Sequence, residues 1–280
     1  MQTPQEEFSE TTTLETPPQE AMQSSSASIA PVWHTALLVA FIFAVSFVGV
    51  YRHTEAQAGA SSSRIVTYSV TAALELVMVG WVALGLRLRK IPLRSLFGSI
   101  PSDMRSVGLD IVIALAFWIG SLMVLATAAV MWIGVETAGK HWHEPNRTGG
   151  IFTPDKSQQK ATRAVVQLAP ANGREIAAWV LLCLFVGVAE ELVFRGYLQR
   201  QFTAWGNGVA AVGVVFSAIA FGAAHGYEGV RSMFLLAIYG ALFSLLALFR
   251  RSLRAGIFAH SWHDLIAGLT IAFLHSRHLL

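Results

Sequence analysis

Ile176-Ala177-Ala178-Trp179-Val180-Leu181-Leu182-Cys183-Leu184-Phe185-Val186-Gly187-Val188-Ala189-Glu190-Glu191-Leu192-Val193-Phe194-Arg195 is an apolar run that ends in two carboxylates and an arginine. It is long enough to reach most of the way across a bilayer's hydrocarbon core. An ionisable side chain there costs roughly 2.5–3.5 kcal/mol on insertion scales, so two adjacent acids need partners or a task. On a helix Glu191 and Arg195 stand four residues apart on one face and can neutralise each other, whereas Glu190 is turned about 100° away. Glu190 is the carboxylate left free for chemistry.

The rest of the chain reads in the same terms. Of 280 residues 54% are apolar and only 13% charged, a balance that belongs to membrane proteins rather than soluble domains. Seven apolar runs follow one another: Val32 to Tyr51, Val66 to Leu86, Gly108 to Gly134, Ile176 to Leu198, Val209 to His225, Val230 to Phe249 and Ala255 to His275. Backbone in lipid must satisfy its own hydrogen bonds, so each run is expected to be a helix. The expected fold class is all-α, a polytopic transmembrane helical bundle of about seven to eight spans with a disordered N-terminal tail. Residues 1–30 form that tail, with five glutamates and no Lys or Arg. Lacking a basic leader region, it leaves the first apolar run as a retained anchor. Residues 31–135 hold the first helices, 136–175 an extramembrane loop with a short interfacial helix at Lys160–Leu168, and 176–280 the helical core that carries the chemistry.

Arg87, Arg89, Lys90, Arg94 and Arg105 lie in one loop, and Arg250, Arg251 and Arg254 in another. An excess of positive charge marks cytoplasmic loops, which predicts a cytoplasmic amino terminus, an external carboxyl end and residence in the cell (inner) membrane. The net charge of +3 is gathered in short loops and is no nucleic-acid footprint. The single cysteine, Cys183, excludes an intrachain disulfide and a Cys-based metal site.

Polar groups recur inside the later runs. Phe221-Gly222-Ala223-Ala224-His225 closes the fifth, and His260-Ser261-Trp262-His263-Asp264 begins the seventh. His260 and Asp264 share a helical face, and His263 points elsewhere. The expected inward set is Glu190, His225, His260 and Asp264. Among the first three runs Glu75 either pairs with an arginine of the bundle or faces a polar cavity. A carboxylate with two or three imidazoles in a wet pocket can act by acid/base hydrolysis, the carboxylate taking a proton from water and an imidazole meeting the developing oxyanion. Alternatively Glu190, His225 and His260 hold a divalent metal such as zinc, with a coordination position open for water. The chain has no His-Glu-x-x-His helix and no Gly-x-Ser-x-Gly elbow.

Glu190-Glu191-x-x-x-Arg195, Phe221-x-x-x-His225 and His260-x-x-x-Asp264, in this order, resemble the three motifs of the CPBP family. That family comprises the type II CAAX prenyl endopeptidases and the bacterial Abi proteins, related intramembrane proteases. The resemblance covers about Ile176 to Ala272. It implies that Glu190 is the general base, that His225 helps orient the attacking water, and that His260 with residue 264 stabilises the oxyanion. Glu191 and Arg195 then support the site and Phe221 packs beside it. The family usually has Asn where this chain has Asp264. An ionised carboxylate cannot donate to an oxyanion, so Asp264 is protonated, orients His260 instead, or weakens catalysis. The expected protein is an intramembrane endopeptidase acting on a hydrophobic or lipidated peptide, with no cofactor required and the lipid bilayer as its other partner. The alternatives are a metal-dependent protease using the same residues and a catalytically silent scaffold or immunity protein. The site is expected as a funnel open to the cytoplasm.

Overall fold

The computed structural model describes residues 27–55, 63–98, 103–143 and 156–279; most of the expected tail lies outside them. The described helices are α1 (Val32–Glu55), α2 (Arg64–Leu88), α3 (Met104–His143), α4 (Lys156–Leu168), α5 (Gly173–Glu190), α6 (Gln199–Trp205), α7 (Ala210–Ala224), α8 (Val230–Arg250) and α9 (Arg254–Ser276). A π-helical segment, Glu191–Leu198, joins α5 to α6 without a break, so one rod runs from Gly173 to Trp205. Among the described residues six helices are long and apolar enough to cross a membrane. The fifth apolar run yields only the 15 residues of α7, roughly 22 Å of helix. It is short because Gly226–Glu228 form a 3₁₀ turn within the bundle. The first part of the expected loop is helix too, since α3 runs past Val135 to His143.

The rod starts where its sequence says it should. The Asn172 side chain accepts the Glu175 N–H at 3.0 Å, and Glu175 Oε2 in turn accepts the Ala171 N–H at 2.8 Å, a reciprocal cap. Its other end is pinned by polar contacts to the amino-terminal segment. Gln201 Oε1 accepts the Ile29 N–H at 2.9 Å and its amide donates to the Ala30 carbonyl at 2.9 Å, while Tyr197 Oη meets Thr35 Oγ1 at 2.8 Å and His34 Nδ1 at 2.9 Å.

Two features set the depth and direction of the bundle. Asp110 of α3, fully buried, holds Arg250 at 2.7 Å and Arg254 at 2.6 Å, so two arginines of the basic loop are neutralised where α8 ends and α9 begins. At Gly187 a Cβ would press on Ser261 of α9, 3.0 Å from its backbone nitrogen; glycine is what lets α5 and α9 meet so closely. These crossings bring the middle of the rod against α9, where the acids and imidazoles lie.

Candidate active site

The wider turn of a π-helix lowers the angle between successive side chains and is often found at functional positions. Here it begins at Glu191, and the two adjacent acids straddle one imidazole: His260 Nδ1 lies 3.0 Å from Glu191 Oε1, and His260 Nε2 lies 3.5 Å from Glu190 Oε2. Asp264, one turn along α9, approaches the same Nε2 at 3.7 Å. His260 is thus ringed by three carboxyl groups and is 4% exposed. Acceptors face both ring nitrogens, the surroundings in which an imidazole donates from each.

Glu191 also takes Arg195 at 3.0 Å, both side chains wholly buried. The guanidinium donates to the Gly240 carbonyl at 3.4 Å and lies 4.3 Å from the Phe221 ring and 4.9 Å from the Phe243 ring. Phe221 is therefore a floor: it holds the cation on one side and stands 4.9 Å from the His225 ring on the other. A Cβ at Gly256 would come within 2.9 Å of Glu191 Oε2, so the absence of a side chain there gives the carboxylate its room.

His225 follows α7 immediately, and its Nδ1 is tied to the Phe221 carbonyl at 2.9 Å. It makes no ion pair with Glu190 among the described residues; the two meet as co-lining groups of a cavity. That cavity, about 270 Å³, has Glu190, His225, His260 and Asp264 at its inner end, Trp179, Cys183 and Tyr239 along its walls, and Tyr68, Leu168 and Ile271 toward one end of the bundle. His263 lines it as well, its ring 4.9 Å from that of Tyr239, although the spacing turned it elsewhere. Beside His225, burial raises the Glu228 carboxyl above its ordinary range.

The lining of this cavity follows α9 from His260 to Ile271 and includes no residue of the basic loop at the start of that helix. The other end is filled, because every residue from Glu191 to Leu198 is buried. The amino-terminal segment docks on Gln201, at the filled end.

Spacing did not assign Glu75 to the site. Its carboxyl, 6% exposed on α2, lines a second cavity of about 240 Å³ that also contains Glu190 and His225. The signal was present as the one acid inside the second apolar run, but a single acid on a helix carries no spacing to read. Among the described residues no group of three or more His, Cys, Asp or Glu side chains is arranged to hold a metal ion.

Together these features define an integral membrane protein of helical-bundle class with a buried carboxylate–imidazole site in its second half. More particularly, residues 172–266 match the Rce1-like family model, described as type II CAAX prenyl endopeptidase Rce1-like. The match contains every motif residue from Glu190 to Asp264. No curated protein and no solved structure matches the chain.

Proposed function

We propose that the protein is an intramembrane endopeptidase that hydrolyses a peptide bond with water activated by Glu190. The observation that carries this reading is the convergence of Glu190, Glu191 and Asp264 on His260 beside a cavity, within the region that matches a protease family. Glu190 takes the proton as water attacks the scissile carbonyl. The tetrahedral oxyanion accepts a hydrogen bond from His260 Nε2–H, and Glu190 then passes its proton to the leaving amine, which restores the carboxylate. Glu191 holds the imidazole through Nδ1, so that Nε2 is the nitrogen presented to substrate. Asp264 lies against that same nitrogen, which favours an orienting role over direct donation to the oxyanion. His225, its Nδ1 committed to a backbone carbonyl, offers Nε2 to the water.

Apolar cavity walls support a hydrophobic or lipidated peptide as substrate. The reading requires no metal. We place the amino terminus and the basic loops at the cytoplasmic face of the cell (inner) membrane. The test is cleavage of apolar peptides, farnesylated and unmodified, by protein reconstituted in liposomes. Wild type should cleave with and without a chelator and Glu190→Ala should not. A Glu190→Ala protein that retains its cellular effect would mark a scaffold instead.

A further inference from the structure

Glu75 has no part in the chemistry above, yet it is buried in the wall of the second cavity. Its Oε2 is buried and has no hydrogen-bond partner among the described residues. Leaving a buried acceptor unpaired is costly, and a donor admitted to the cavity that Glu75 lines would relieve that cost. Much of the wall around it is apolar, with Phe41, Ile42 and Val45 from α1, Leu74 and Met78 from α2, and Phe194 from the rod, while Ser46, Thr67 and Thr71 add hydroxyls. This second cavity and the larger one share Thr71, Leu168, Glu190, His225 and Tyr227 as lining residues. Two apolar lobes therefore meet at the proposed base and its imidazole.

We propose that the lobe between α1 and α2 is a substrate subsite that takes a large apolar side chain adjoining the scissile bond, with Glu75 accepting a backbone N–H of that same residue. A peptide that enters a lipid-depth cavity brings backbone donors that water no longer serves, and each needs an acceptor on the wall. Glu75 supplies one in whichever protonation state it holds, since a carboxyl oxygen accepts in both. The bond between the residue in this lobe and the residue in the larger one then lies against Glu190 and His225. Glu75 acts in this arrangement as a positioning and specificity residue.

The catalytic arm of the test rests on the peptidase reading; the binding arm does not. For cleavage, Glu75→Gln keeps an acceptor and should stay within about threefold of wild type, whereas Glu75→Met should raise KM about tenfold or more with kcat little changed. Val45→Phe fills the lobe without touching the carboxyl, and should abolish preference for Leu or Phe over Ala at one position next to the cleaved bond. For binding, N-acetyl-leucine methylamide should raise the unfolding temperature of intact wild type and Glu75→Gln, and leave Glu75→Met and Val45→Phe unmoved; the glycine analogue should move none of them. Equal shifts in wild type and Val45→Phe, or unchanged side-chain preference in Val45→Phe, would overturn the subsite. A leucine-dependent shift without cleavage of any peptide would sink the peptidase reading and leave the subsite standing.

Discussion

At the scale of single residues, Glu191 and Glu190 are adjacent in sequence but divided in task. Glu191 is committed to Arg195 and to His260 Nδ1, and its loss strands a buried guanidinium. Glu191→Leu should therefore destabilise the protein by about 3–5 kcal/mol, read as a lower unfolding temperature in detergent. Glu190→Gln should leave that temperature nearly unchanged while removing activity, and equal destabilisation by both variants would erase the division. Asp264 approaches His260 Nε2 at 3.7 Å, a contact that an amide oxygen can also make: Asp264→Asn should keep activity within about tenfold, and Asp264→Leu should lose about 100-fold in kcat. The pairing of Glu191 with Arg195 was legible from their separation of four. The second bond of Glu191 was not, because nothing in local spacing says which distant helix will face it.

Among the elements, the rod from Gly173 to Trp205 sets the site, and its contact with α9 depends on Gly187. Gly187→Val should force the two helices apart and widen the 3.5 Å gap between Glu190 and His260. Activity should fall at least about 100-fold with a smaller loss of stability, because misplacement by an ångström is enough to lose that much rate. A Gly187→Val protein as active as wild type would show that the contact does not position the chemistry. Apolar runs announced the helices, since hydrophobic length is written residue by residue. The π segment was not announced: Glu191 to Leu198 carries no proline, and its only glycine is Gly196, so the widened turn arises from what packs around it.

For the whole molecule, α2 runs from Arg64, which donates to the Gln167 carbonyl at 3.0 Å, to Leu88, with Lys90 just beyond, so Gln167 and Lys90 stand at opposite ends of that helix. Cys183 is buried, so added cysteines report cleanly. Lys90→Cys and Gln167→Cys should react with a membrane-impermeant maleimide from opposite sides of sealed vesicles; labelling of both from one side would refute the arrangement of the bundle. The sequence alone implied a cytoplasmic funnel by measuring depth from helix ends, and it could not show which residues along α9 would line the space. Basic residues also stand where other helices begin, among them Arg64 of α2, Arg174 of α5 and Arg231 of α8, so the tally of positive charge is less one-sided than the two basic loops suggested. The account as a whole stands on Glu190 as the group that activates water. Its most direct test is a single-turnover reaction of reconstituted protein with an apolar peptide in ¹⁸O-labelled water. Wild type should give a product whose new carboxylate carries one labelled oxygen, and Glu190→Gln should give no product; unlabelled product from wild type, or labelled product from Glu190→Gln, would contradict it.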